Sequence, residues 1–141
     1  MVASQETVDS VRGVLDRFAA TYAAKDVAGV ADCFALGTDG VLVGTGADEW
    51  RIGDGEVRVQ TERDFAQADG LSIDYGDVHI DASDGAAWFA ARATMRANVR
   101  GEPFEAAVRL TGVLSQRADG WKIVQCHLSF PSAAQEPGSS F

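Results

Sequence analysis

Residues 120–131 carry the stretch Gly-Trp-Lys-Ile-Val-Gln-Cys-His-Leu-Ser-Phe-Pro, around which the rest of the chain is organised. Its β-branched and aromatic residues predict a strand that starts at a glycine and ends at a proline. Because strand side chains alternate between two faces, one face carries Val124, Cys126 and Leu128, and the other changes from Trp and Ile to Gln, His and Ser. A face that turns from apolar to polar along its length is typical of a cavity wall or a subunit contact.

Composition and charge exclude several classes of function. The 141 residues are enough for one domain with a proper core and too few for two. The net charge is −9, with 12 basic against 21 acidic side chains, so nucleic acid and an anionic membrane are disfavoured as partners. No apolar run approaches the roughly 20 residues that span a bilayer. The first residues have neither the basic nor the apolar region of a signal peptide, so we expect a cytoplasmic location.

The cysteines and histidines predict no metal site and no cofactor. Cys33 and Cys126 lie far apart in apolar settings and form no CxxC pair, so we expect two buried thiols rather than a disulfide or a metal pair. The two histidines have no close His or Cys partner and do not reproduce the spacing of zinc ligands.

The remaining pattern predicts helices mainly in the first half of the chain and strands in the second. Residues 5–24 form the clearest helix, because apolar side chains recur there every three or four positions. That stripe consists of Val8, Val11, Leu15, Phe18 and Tyr22. Asp26 and Asp54 are suitable N-caps for two further helices. Strands are predicted at residues 41–43, 71–81, 86–99 and 104–116, before the one at 120–131.

Segregated helices and strands, with short turns between the strands, indicate an α+β fold. We expect a curved antiparallel sheet with the three helices packed on one face, since strands this long must bend or twist to stay compact. Residues 1–131 are predicted to form a single domain, and residues 132–141 a flexible C-terminal tail.

Several separated motifs arrive in an order that resembles one superfamily. They are the turn and strand at residues 39–46, the pair Glu49-Trp50, Arg92 within residues 90–94, residues 119–123, and His127-x-Ser129-x-Pro131. Together with the order of the helices and strands, these motifs resemble the nuclear transport factor 2-like superfamily. Within that superfamily they most resemble the polyketide cyclase (SnoaL)-like branch. This branch is similar to the association domain of calcium/calmodulin-dependent kinase II. The resemblance covers residues 5–131. It implies a cone-shaped, cystatin-like fold with a pocket between helices and concave sheet, and a homodimer formed through the sheet.

The resemblance leaves two classes of function open, because the superfamily contains both enzymes and assembly domains. The first is a cyclase, dehydratase or isomerase that acts by proton transfer on a carbonyl-bearing substrate. The second is a non-catalytic module, similar to the kinase hub domain, that binds a ligand or forms oligomers. A buried acid or histidine that touches both a cavity and Arg92 would favour the enzyme, and a dry, filled cavity with a large interface on the sheet face would favour the module.

Arg92 and His127 are the candidate catalytic residues. Arg92 shares a strand face with Trp88, and if that face lines the cavity, its guanidinium offers donors to a carboxylate, enolate or carbonyl oxygen. The charge would then be met by the ligand or by a helix carboxylate such as Asp32. His127 is of a residue type that suits proton transfer near neutral pH. The alternatives are a surface or internally paired Arg92 and a structural His127.

The expected ligand is a small, largely apolar molecule with an acidic or carbonyl oxygen. The residues predicted to bind it are Phe18, Tyr22, Trp50, Phe65, Trp88, Arg92 and His127.

Overall fold

The structure is a computed structural model that describes residues 3–141. This part of the chain contains three helices and six strands. The helices are α1 (Gln5–Ala23), α2 (Val27–Asp32) and α3 (Asp54–Gln67). The strands are β1 (Val41–Val43), β2 (Trp50–Ile52), β3 (Ala68–Ser83), β4 (Ala86–Val99), β5 (Glu102–Arg117) and β6 (Gly120–Ser129). The predicted α+β fold is confirmed.

The six strands form one curved, unclosed sheet in the order β2-β1-β6-β5-β4-β3. β1 pairs with β6 in parallel, and the other neighbours are antiparallel. The short strand β2 was not among the predicted strands, because its three residues are too few to show a period in the sequence. The helices cover one face of the sheet, which we call the inner face, and leave the outer face bare.

Helix α1 forms where the apolar spacing predicts it. Its N-terminus is capped by Ser4, whose hydroxyl accepts a hydrogen bond from the backbone N–H of Thr7 at 3.2 Å. The predicted stripe is buried from Val11 to Tyr22, with Val14 beside it. The hydroxyl of Tyr75 on β3 donates to the carbonyl oxygen of Leu15 at 2.8 Å, which ties α1 to the sheet.

A β-bulge at Val124 reverses the face pattern of β6. Val113 pairs with Gln125, whereas the next residue of β5 pairs with Ile123, so β6 contains one extra residue. Ile123 therefore lies on the inner face before the bulge, and Cys126 lies on the same face after it. The sequence pattern placed Trp121, Ile123 and His127 on one face, and this is wrong. The change from apolar to polar along that face marks the bulge.

The cysteine thiols are predicted to be unreactive in the native protein. Both are free and buried, and burial raises the pKa of Cys33 and raises that of Cys126 to about 12. Because the thiolate is the reactive form, we expect slow labelling of both by Ellman's reagent at neutral pH and fast labelling in guanidinium. Fast labelling of either thiol without denaturant would contradict this placement.

Residues 132–141 lie beyond the sheet and are exposed, with two short turns. Within residues 3–141, no helix is long and apolar enough to cross a membrane.

Candidate functional site

An internal cavity of about 270 Å³ lies between the helices and the inner face of the sheet. Its volume is just below the usual range for ligand pockets, about 300–1,000 Å³, so it suits a small ligand. Most of its wall is apolar. The lining residues are Phe18, Tyr22, Val30, Leu42, Gly44, Thr45, Glu49, Gln60, Thr61, Asp64, Ile73, Met95, Phe104, Leu128 and Phe130.

The polar part of the wall comes mainly from helix α3. Val57, Gln60, Thr61 and Asp64 follow one another at the i, i+3, i+4 and i+7 spacing of a single helix face, which is the face that turns inward. A soluble helix normally fills this stripe with apolar side chains. Three polar residues on a buried stripe are therefore the sequence signal for the cavity, and the motifs considered above did not include it.

The carboxylate of Asp64 is held by side chains from two helices. The hydroxyl of Tyr22 on α1 donates to Oδ2 at 2.9 Å, and the amide Nε2 of Gln60 donates to Oδ1 at 2.8 Å. Gln60 is itself fixed from behind, because its Oε1 accepts from Nε of Arg51 at 3.0 Å and from Nη2 of Arg63 at 3.2 Å. Asp64 thus has one orientation imposed on it by a chain of hydrogen bonds.

The environment of Asp64 makes its carboxylate a stronger base than an exposed one. Burial raises its pKa above the ordinary range of a carboxyl group, and the hydrogen bonds from Gln60 and Tyr22 only partly oppose this. Burial also raises the pKa of Tyr22, and the charge of Asp64 raises it further. The phenol therefore stays protonated and remains a hydrogen-bond donor.

Glu49 brings a second carboxylate to the cavity wall. It lies in the turn between β1 and β2, where the backbone N–H of Gly46 donates to its Oε2. Its side chain lies so close to Gly44 and Gly46 that a Cβ at either position would overlap it. Within residues 3–141, no group of three or more His, Cys, Asp or Glu side chains is arranged to hold a metal ion.

The rings of Phe104 and Phe130 stand where the cavity opens to solvent. They lie edge to face with centroids 6.4 Å apart, and each remains 40% exposed while lining the cavity. Phe18 and Tyr22 form the opposite, buried wall, with ring centroids 6.1 Å apart. Four aromatic rings therefore surround the space into which Asp64 points.

The structure brings only two of the seven expected ligand-binding residues to this cavity. Phe18 and Tyr22 line it, and Phe65 packs behind Tyr22 with ring centroids 5.3 Å apart. The other four side chains lie on the outer face. They are Trp50, Trp88, Arg92 and His127.

The reason lies in strand alternation. On β4, Phe89, Ala91 and Ala93 are buried against the helices, so Trp88 and Arg92 point outward. The expectation that the face of Trp88 and Arg92 lines the cavity is corrected accordingly. On β6 the bulge turns His127 outward.

On β2, Arg51 occupies the inner face and its Nε donates to Oε1 of Gln60. The neighbouring Trp50 therefore lies on the outer face. Trp50 is 67% exposed.

Arg92 has no buried carboxylate partner. Its side chain is 80% exposed and lies 4.0 Å from that of Asp77, which is equally open to solvent. Asp32, considered above as an internal partner, contacts Lys122 and Arg17 instead. Across the sheet, Arg92 stands directly opposite Arg109. Two like charges in register repel each other, so this part of the outer face favours anions over cations.

Register across β4, β5, β6, β1 and β2 aligns ten outer side chains in two neighbouring rows. The first row is Trp88, Val113, Gln125, Val41 and Ile52. The second row is Ala90, Thr111, His127, Val43 and Trp50. We call these ten residues the outer patch. It is largely apolar, and it places His127 between a threonine and a valine.

The curved sheet, the covering helices and the enclosed cavity define a nuclear transport factor 2-like protein with a cystatin-like fold. The family model described as a SnoaL-like domain matches residues 11–133. The chain belongs to this SnoaL-like family, as the sequence motifs indicated. No curated protein matches the chain.

Solved structures with the same fold come from several bacteria. A proposed dehydratase of the nuclear transport factor 2-like family from Streptomyces avermitilis is 20% identical, with a TM-score of 0.83 over 91% of this chain and 98% of the other. A proposed calcium/calmodulin-dependent protein kinase II association domain from Xanthomonas campestris is 23% identical, with a TM-score of 0.77 over 87% and 86%. A protein with a cystatin-like fold from Novosphingobium aromaticivorans is 15% identical, with a TM-score of 0.75 over 92% and 86%. At these identities the similarity establishes the fold alone.

Proposed function

We propose that the chain binds a small, largely apolar, carbonyl-bearing molecule in the internal cavity and catalyses a proton transfer on it, with Asp64 as the general base. The observation that carries the proposal is the placement of Asp64. It is a carboxylate on the wall of an apolar cavity, oriented by two hydrogen bonds, with its pKa raised by burial. Arg92 and His127, on the outer face, have no part in this proposal.

The reaction begins when ionised Asp64 removes a proton from the carbon next to the substrate's carbonyl group. Negative charge then moves onto the carbonyl oxygen. Once Asp64 is protonated, it holds the hydroxyl of Tyr22 less strongly, because a neutral carboxyl is a weaker acceptor than a carboxylate. The hydroxyl can then donate to the enolate oxygen. In a β,γ-unsaturated ketone, return of the proton from Asp64 to the γ-carbon completes an isomerisation. In a β-hydroxy ketone, the enolate forms the new double bond as the β-hydroxyl takes the proton from Asp64 and departs as water.

The structural similarity to a proposed dehydratase from S. avermitilis supports this class of reaction, although it carries no substrate with it. The apolar wall of the cavity adds a second argument, because it excludes water and strengthens each electrostatic interaction made inside the cavity.

The test measures proton transfer without knowledge of the natural substrate. Small cyclic ketones are incubated with the protein in D₂O, and exchange at the α-carbon is followed by NMR. We expect the wild-type protein to accelerate exchange, and Asp64→Asn to lower the catalysed rate by about 10²–10⁴-fold, the usual range for a general base. Asp77→Asn removes the same charge from the outer face and should change nothing. No catalysed exchange across the ketones, or equal exchange by Asp64→Asn, would refute the assignment.

The outer patch favours a second role, assembly into a homodimer through the sheet. Trp88 is 42% exposed there and Trp50 more so, and monomers seldom leave such an apolar area open. Similarity to a proposed kinase association domain points the same way. This role is compatible with the cavity chemistry, because the two use opposite faces of the sheet.

We expect sedimentation at micromolar concentration to give at least twice the 14.9 kDa of one chain. Trp88→Glu should shift the protein towards the monomer, because a charge in a closed interface loses its hydration. Val59→Glu places the same charge on an exposed apolar position of α3, outside the outer patch, and should leave the assembly intact. A wild-type monomer would disprove the proposed dimer.

A further inference from the structure

The charged side chains that line the internal cavity are acidic. Asp64 and Glu49 both line it, and within residues 3–141 no lysine, arginine or histidine does. The other polar groups on its wall are hydroxyls and one amide, at Tyr22, Thr45, Thr61 and Gln60. An anionic ligand would therefore meet two carboxylates and no cation.

The arginines nearest Asp64 are held outside the cavity. Arg51 and Arg63 bind the far side of Gln60, and Arg63 is also paired with Asp48 at 2.6 Å. Both lower the pKa of Asp64 from a distance, but burial prevails. Arg96 shares a neighbouring surface opening with Asp64, where it is engaged by two other carboxylates. Those partners are Asp74 at 2.7 Å and Glu105 at 3.4 Å.

The aromatic rings add a second attraction for a positive charge. Phe18, Tyr22, Phe104 and Phe130 line the same small space as Asp64. The face of an aromatic ring carries partial negative charge, so a cation within about 6 Å of its centre is attracted. Groups of aromatic side chains with a nearby acid are a common way to recognise an organic ammonium ion.

We propose that the ligand of the internal cavity carries a protonated amine on an otherwise apolar body. The ammonium group lies between the aromatic rings, where the negative charge of Asp64 attracts it, and the body packs against Leu42, Ile73 and Leu128. This deepens the proposed function, on which it rests for the identity of the ligand site, by adding a basic nitrogen to the carbonyl-bearing substrate. It replaces the acidic ligand that the sequence suggested opposite Arg92.

Binding then depends on pH in two opposite ways. It strengthens as pH rises through the pKa of Asp64, and it weakens again when the amine loses its proton. The groups near Asp64 are Tyr22 from α1, Glu49 from the β1–β2 turn, Arg63 from α3 and Arg51 from β2. Arg96 from β4 stands at the adjoining opening.

The test uses three ligands of nearly equal shape: cyclohexylmethylamine, cyclohexylmethanol and cyclohexanecarboxylate. Dissociation constants are measured by calorimetry or ligand-observed NMR at pH 7. We expect the amine to bind about ten- to a hundredfold more tightly than the alcohol, which is the range of one charge-assisted hydrogen bond, and the carboxylate to bind least. Asp64→Asn should abolish the preference for the amine, and Asp77→Asn should retain it.

The ligand series on the wild-type protein tests the proposed ammonium ligand even if Asp64→Asn fails to fold. Equal or tighter binding of the carboxylate overturns the proposal, and so does the absence of amine binding up to 10 mM, about the weakest affinity such assays resolve. An unchanged amine preference in folded Asp64→Asn also overturns it. Amine binding without α-proton exchange on any ketone would refute the catalytic proposal and leave this one standing. Catalysed α-proton exchange without a preference for the amine would refute the proposed ammonium ligand and leave the catalytic proposal standing.

Discussion

Replacing Phe34 by alanine is expected to destabilise the protein by about 3–5 kcal/mol, the usual cost of removing a fully buried aromatic ring. Phe34 is the largest fully buried side chain among the described residues. It follows α2, forms a parallel bridge to Ile123 on β6, and packs edge to face on Phe18 with ring centroids 6.2 Å apart. The ring therefore joins α1, the end of α2 and the sheet at one point.

The measurement is thermal or urea unfolding of Phe34→Ala beside the wild type, where a loss of this size lowers Tm by roughly 10–20 °C. Phe104→Ala is the matched control, since it removes the same ring from the exposed mouth of the cavity and should cost much less. Because Phe34 supports Phe18, we also expect the variant to bind cavity ligands more weakly. Equal stability of the two variants would mean that the packing around Phe34 is looser than described.

Replacing Gly112 by valine is expected to cost at least about 3 kcal/mol, the upper part of the range for overpacked cores. Gly112 lies on the inner face of β5, opposite Cys126 and beside Phe89. A Cβ built there would lie 2.4 Å from the carbonyl oxygen of Gln125 and 2.6 Å from Cε1 of Phe89. The oxygen belongs to the backbone of β6, so relief of the overlap requires one of the central strands to move.

Thr111→Val is the control for this change, because it introduces the same side chain one residue away on the outer face. Circular dichroism and urea unfolding should show a large loss of stability for Gly112→Val and little for Thr111→Val. Wild-type stability in Gly112→Val would contradict the close contact between Phe89 and the backbone of β5. We expect the sheet to lose part of its curvature, and with it the cavity, before the helices unfold.

The two faces of the sheet differ in the charge that they carry, and for this reason the ligand that we propose for the cavity differs in charge from the acidic ligand that the sequence suggested. The cavity on the inner face is lined by carboxylates and aromatic rings. The outer face carries Arg92 and Arg109 next to the outer patch. The expectation that Arg92 lines the cavity gave the cavity wall a positive charge, whereas its charged lining residues are acidic. The proposed catalytic and assembly roles therefore involve different residues, and we expect that each can be lost without the other.

Patterns and motifs along the chain were enough to predict the α+β class, helix α1 with its buried stripe, the buried thiols and the SnoaL-like family. These features follow from short-range periodicity and from motifs that can be read along the chain. The polar residues on the buried stripe of α3 were also readable, at Gln60, Thr61 and Asp64, although their meaning depended on which face of the helix turns inward.

The location of the site depends on contacts that local sequence patterns do not contain. Alternation along a strand shows that Trp88 and Arg92 share a face, but not which face the helices cover. The single extra residue at Val124 reverses the faces of β6, and the change from apolar to polar along one face, which marks that bulge, is equally typical of a cavity wall or a subunit contact. The hydrogen bond between Tyr22 and Asp64 joins residues 42 positions apart. Such a contact depends on how α1 and α3 pack over the sheet, because pairing at that distance along the chain is set by the whole core and not by either segment.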